Sequence, residues 1–155
     1  MARWATVATI VVGVVLVGWL GLLLGAWLAN PPVLGLQEDG ALADCPGGGN
    51  CVSSRATDEA AAVEPYTCPD ASLPEVVEVA AEALPRTTVE AVEGSYAHLT
   101  ARTRFVRFVD DLELQAVDGV IHVRSASRLG RRDFGANRDR VETLRSALLA
   151  AGLCR

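Results

Sequence analysis

The feature that most constrains this chain is an uncharged stretch of 26 residues, Trp4 to Ala29, broken only by Thr6, Thr9 and glycines. As a helix it would extend about 39 Å at about 1.5 Å per residue, more than the roughly 30 Å of a hydrocarbon core. Trp4 and Trp27 fall near its two ends, where indole rings favour a membrane interface. The competing reading is a cleaved signal peptide. Its apolar region usually covers about 7–15 residues and exits through small residues, whereas this run leaves through Trp27-Leu28-Ala29. A lipoprotein reading of Leu42-Ala43-Asp44-Cys45 fails because an aspartate precedes the cysteine. The expectation is therefore an uncleaved single-pass transmembrane helix. Arg3 is the sole charge before it, and the flank beyond has no basic residue before Glu38-Asp39. That places the N-terminus in the cytoplasm and the remainder outside it, periplasmic or otherwise extracytoplasmic. Gly21 and Gly25 have the small-xxx-small spacing of paired helices, which makes them a candidate homodimer contact.

The expected organisation is a cytoplasmic stub and span over 1–29, a linker over 30–44 opened by Asn30-Pro31-Pro32, and one folded domain over 45–155. All four cysteines lie beyond the apolar run, and an even number in a small exported domain favours disulfides. Of the three pairings, we favour Cys45–Cys51 closing a glycine-rich loop and Cys68–Cys154 tying the domain's ends together. Zinc is the rival, but no C-x-x-C pair exists and His98 and His122 are far apart in sequence. No metal or cofactor is expected.

Charge is asymmetric. Residues 30–100 carry 2 arginines against 12 acids, residues 101–155 carry 11 arginines against 7 acids, and lysine is absent. The two halves can dock on one another, or the basic half can receive an anion. Nucleic acid is not an expected partner, because the domain has no run of aromatic residues on which bases would stack.

Ser72-Leu73-Pro74-Glu75 is a capping box. The helix it opens carries Leu73, Val76, Val77, Ala80, Ala81 and Leu84 on one face and stops at Pro85. From Thr87 the period changes to two, with strands expected at about 87–92, 95–103, 105–115 and 120–128. Glu93-Gly94 and Asp118-Gly119 mark the first and last hairpins. A two-residue turn at Asp118-Gly119 sets Val117 opposite Val120, Leu114 opposite Val123, Leu112 opposite Ser125 and Glu113 opposite Arg124. Asp110 interrupts an apolar face shared with Val106, Phe108, Leu112 and Leu114. A carboxylate there needs a partner, for which Ser127, Arg128 and Arg138 are the candidates. Asn137 is expected to cap a last helix from about Arg138 to Ala151. The fold class is α+β: an N-terminal transmembrane helix, then a small two-layer domain in which a four-stranded antiparallel meander is flanked by two helices.

Two segments carry a resemblance. One is Cys45-Pro46-Gly47-Gly48-Gly49-Asn50-Cys51-Val52-Ser53-Ser54. The other runs from Phe105-Val106-Arg107-Phe108-Val109-Asp110-Asp111-Leu112-Glu113 through Val123-Arg124-Ser125-Ala126-Ser127-Arg128-Leu129-Gly130 to Asp133-Phe134-Gly135-Ala136-Asn137-Arg138-Asp139-Arg140-Val141-Glu142. Together they resemble the family called domain of unknown function 1499. Arg131-Arg132 departs from its pattern, and Cys68 and Cys154 lie outside it. The resemblance implies a shared fold and an envelope or organelle-lumen setting. It implies no reaction.

Three functional readings follow. The first is a non-enzymatic, membrane-anchored domain binding an envelope protein or an anionic ligand near the membrane. Arg124, Arg128, Arg131, Arg132 and Arg138, in a cluster that also holds Arg140, would supply the charge beside a glycine-containing loop and a helix N-terminus. The second is a hydrolase or lyase using Asp111, Glu113 and His122, which share one strand face. The third is a structural or assembly factor of the envelope. Asp110, Ser127, Asp133 and Asn137 are expected to form a structural polar network.

Overall fold

A computed structural model describes residues 2–28, 34–45 and 49–155. Helix α1 covers Ala2–Leu28, α2 Leu73–Ala83 and α3 Ala136–Ala150; the strands are β1 Cys51–Ser53, β2 Tyr66–Thr67, β3 Thr87–Glu93, β4 Tyr96–Arg102, β5 Val109–Val117 and β6 Val120–Ser127. The sheet is six-stranded and antiparallel, in the order β1-β6-β5-β4-β3, with β2 also paired to β6. The four-stranded meander is thus corrected to six strands. β1 and β2 are three and two residues long, too short to show an alternating pattern, and they take up the far side of β6 that a meander would leave open.

The membrane expectation is also corrected. Among the described residues, no helix is long and apolar enough to cross a membrane. The transmembrane helix and the single-pass placement drawn from it are withdrawn. Among the described residues, a Cβ built on Gly21 or Gly25 meets nothing within 4 Å beyond its own stretch of helix.

The last hairpin has the register that its turn dictates. Val117 faces Val120, Leu114 faces Val123, Leu112 faces Ser125 and Glu113 faces Arg124. Asp118 and Gly119 both have positive φ (48° and 75°), as a two-residue hairpin turn requires. The third strand starts later than its alternation suggests. Thr103–Phe108 is a loop, because Arg107 adopts a left-handed φ of 58° that breaks the extended backbone. Val106 and Phe108 therefore do not extend the face of Asp110.

β5 is buried on both faces from Val109 to Gln115. On one face Leu112 and Leu114 pack with Val76, Ala80 and Leu84 around α2 and with Val141, Leu144 and Leu148 of α3. Burying each such side chain contributes about 1.5–3 kcal/mol. On the other face lie Asp111, Glu113 and Gln115, and segment 34–45, read as linker from sequence, runs across it. The Gly35 amide donates to Glu113 (2.8 Å), and the Gln115 amide donates to the Gly40 carbonyl (2.6 Å). Leu36 pairs with Leu42, and Leu42 is buried. Disulfide Cys45–Cys51 ties this segment to β1, and Cys68–Cys154 ties the start of the domain to the end of α3, the pairing expected from spacing. Disulfides persist in oxidising surroundings and are compatible with an extracellular location.

α3 starts earlier than expected, and Asn137 is not its cap. The preceding residue is Gly135 in a left-handed conformation (φ 88°). Asp133 does the capping: its carboxylate accepts the amides of Gly135 (3.0 Å) and Asn137 (2.9 Å). That frees the Asn137 side chain to point inward, where it is fully buried.

Candidate anion-binding cleft

Asp110 enters the interior near the start of β5, 3% exposed. Its partner is Arg140, whose Nη2 donates to Oδ2 at 2.6 Å. Neither Arg128 nor Arg138 takes that place. The other Arg140 nitrogen donates to Ser125 Oγ (2.8 Å) and Asn137 Oδ1 (2.6 Å). Asn137 Nδ2 in turn donates to the Asn50 carbonyl (2.9 Å) and Ser127 Oγ (3.0 Å). Asn50 Nδ2 donates to the carbonyls of Ser127 (3.3 Å) and Gly130 (2.7 Å). The two motif segments, distant in sequence, therefore meet in one hydrogen-bonded cluster. Asp133 stands beside it: burial disfavours its charge, but the amides of Asn137 and Gly135 outweigh that and hold its carboxyl below the ordinary value.

Above this cluster lies a cleft of two adjoining lobes that share Thr103, Asp110 and Ala136. The larger, about 340 Å³, is bordered by Arg86, Arg102, Arg104 and Arg140, with Asp110 and Asp139 as its carboxylates. The smaller, about 250 Å³, is bordered by Phe108, Leu129 and Phe134, with Arg132 and Asp133 at its polar edge. Loop Thr103–Phe108 forms one wall, the β6–α3 loop the other, and the first turn of α3 lies between them. Backbone strain gathers here. Four described non-glycine residues have positive φ; one is the hairpin Asp118, and the others are Arg86 (57°), Arg107 (58°) and Phe134 (56°). Arg86 and Phe134 line the lobes and Arg107 sits in the wall. Residues held in sparsely populated conformations cost of order 1–3 kcal/mol each and cluster at ligand sites.

The five arginines expected to bind an anion are dispersed. Arg124 is buried and donates to Glu113 Oε2 (2.6 Å). Arg128 grips Asp111 through Nε (2.9 Å) and Nη2 (2.7 Å). Arg138 donates to the Ala60 carbonyl (2.9 Å). Arg131 and Arg132 are exposed in the β6–α3 loop, and only Arg132 borders the cleft. Arg86, Arg102 and Arg104 were missed. Arg140 belongs to the basic cluster read from sequence, and three residues from Asn137 on a helix it shares that residue's face.

Asp111, Glu113 and His122 share a sheet face but make no hydrogen bond to one another. Glu113 accepts from Arg124, from the Tyr96 hydroxyl (2.8 Å) and from the Gly35 amide. Asp111 accepts from Arg128 and from His98 (2.8 Å). Burial raises the Asp111 pKa, but the His98 and Arg128 hydrogen bonds outweigh it, so the carboxyl sits below its ordinary value. His122 lies near Ser54 (Nδ1···Oγ 3.2 Å). Both carboxylates are buried, Glu113 beneath segment 34–45, and every oxygen already accepts a hydrogen bond. Among the described residues, no group of three or more histidine, cysteine or acidic side chains is placed to hold a metal.

Comparison with known proteins gives one match: the model of a family described as protein of unknown function (DUF1499) covers residues 41–148. No curated protein and no solved structure matches the chain. The family match begins within the segment that crosses the sheet and ends in α3, so it encloses the whole cluster around Asp110.

Proposed function

The chain belongs to the DUF1499 family, and within that family we propose a non-enzymatic domain that binds a small anion, a carboxylate or phosphate, in the cleft above Asp110 and Arg140. The observation that carries this reading is the charge of the larger lobe: four arginines border it against two carboxylates. One of those carboxylates, Asp110, is already neutralised by Arg140. Arg86 holds its place by donating Nε to the Arg102 carbonyl (2.8 Å), which leaves the outer guanidinium nitrogens for another acceptor. Planar guanidinium groups suit carboxylate and phosphate oxygens, and the adjacent start of a 15-residue helix adds a favourable dipole. The enclosed, fully bonded state of Asp111 and Glu113 favours binding over hydrolysis.

A thermal-shift series on the full chain tests this, with inorganic phosphate, acetate and citrate against chloride at matched ionic strength. At least one of the first three raises the melting temperature, and the Arg102→Ala/Arg104→Ala double variant loses that rise. No rise in the wild-type chain, or an equal rise in the double variant, overturns the reading.

A further inference from the structure

The two lobes differ in chemistry, and the difference specifies a ligand class. The larger lobe is the arginine-bordered one, while the smaller is walled by Phe108, Leu129 and Phe134. Phe134 is 97% exposed and held at a left-handed φ of 56°. A free loop would not adopt that backbone for a bulky residue, nor leave a whole ring in water. On the facing loop Phe105 is 76% exposed, with the Arg104 guanidinium 5.4 Å above its ring. Phe105 itself borders neither lobe, so Phe134 is the exposed ring on the cleft. An inorganic anion would use only the larger lobe and would leave the Phe134 ring and the apolar lobe without purpose.

We infer that the ligand is an amphiphilic anion, with a carboxylate or phosphate head among Arg86, Arg102 and Arg104 and an aromatic or alkyl body against Leu129 and Phe134. This rests on the anion-binding reading and adds the apolar half. The lobes, about 340 and 250 Å³, suit a small organic molecule, since pockets for such ligands span roughly 300–1,000 Å³. Head and body are joined at Thr103, Asp110 and Ala136, so the ligand passes over the Asp110–Arg140 pair. That pair supplies a neutral, rigid floor.

Isothermal titration of the full chain with inorganic phosphate and with phenyl phosphate tests the inference. Phenyl phosphate binds about tenfold or more tightly, from burial of its ring. In Leu129→Ser that advantage shrinks to about twofold or less while inorganic phosphate binds as before. Phe134→Gly, at an exposed position that cannot unfold the domain by losing core contacts, shows the same loss. Arg104→Ala weakens both ligands. Equal affinity for the two ligands in the wild-type chain, or an advantage that survives both apolar substitutions, overturns the amphiphile and leaves the anion reading standing. Failure of both ligands to bind overturns this inference, and the anion reading goes with it if acetate and citrate also give no thermal shift.

Discussion

Asp110 on β5 and Arg140 on α3 stand thirty residues apart in sequence and 2.6 Å apart in space, both largely withdrawn from water. Their ion pair joins the sheet to the N-terminal half of α3 beneath the cleft. Ser125 and Asn137 satisfy the second Arg140 nitrogen, so the guanidinium is held on three sides.

Removing one member leaves the other charged and uncompensated, which costs about 3–5 kcal/mol for a buried pair. Arg140→Ala is therefore expected to lower unfolding free energy by that amount in urea denaturation. Asp110→Asn/Arg140→Gln, which removes both charges while keeping polar groups, loses less than Arg140→Ala alone. A double variant as unstable as the single would show that the ion pair is not the source of the loss.

The disulfides should differ in weight. Cys68 and Cys154 are 86 residues apart and Cys45 and Cys51 only 6. In the chain-entropy account the longer loop constrains the unfolded state more, by about 4–5 kcal/mol against about 2. Paired serine substitutions at 68 and 154 are expected to lower the melting temperature further than those at 45 and 51. The opposite order would mean that fastening segment 34–45 over the sheet matters more than loop entropy.

Asp111 gives a pH signature. Its folded pKa lies below the ordinary carboxylate value, so the unfolded chain takes up a proton first as pH falls. Its contribution to stability is fully present above the unfolded value, roughly 3.9. It is lost as pH drops through the folded value. Asp111→Asn is expected to be less stable than wild type at neutral pH, with the gap closing in acid. Parallel stability curves down to the lowest pH would contradict this.

Phe134 poses a choice between stability and binding. Glycine tolerates φ 56° freely, and a left-handed backbone costs an L-residue roughly 1–2 kcal/mol. Phe134→Gly is expected to raise stability by about 0.5–1 kcal/mol after the added flexibility of the unfolded chain is subtracted. Chemical denaturation measures it; a loss of stability would show that the exposed ring holds contacts in the folded chain.

The legible parts of the fold were those with short-range rules. Asp118-Gly119 set the β5–β6 register because a two-residue turn leaves no freedom of pairing, and the alternation of Leu112 and Leu114 with Glu113 fixed which face was which. Ser72 and Glu75 announced α2, and the Glu75 carboxylate indeed accepts the Ser72 amide (2.8 Å). What depended on distant contacts was hidden. Phe105-Val106-Arg107-Phe108 alternates as a strand does, yet Arg107 turns the chain. Segment 34–45 has no periodicity, so nothing local announced that it would cover Glu113 and Gln115. Arg124 and Arg128 are occupied by Glu113 and Asp111 of β5. The turn register set Arg124 opposite Glu113, whereas Asp111 and Arg128 are not paired across the strands and had no local signal. Arg86 and Arg102 reach the cleft only because the α2–β3 turn and the end of β4 meet there.

The most direct test of the cleft is a backbone amide chemical-shift map of the full chain titrated with inorganic phosphate. The account predicts saturable shifts concentrated at 84–86, 102–104 and 136–140, abolished in Arg102→Ala/Arg104→Ala. Shifts centred instead on β6 around Arg124, or scattered without saturation, would contradict it.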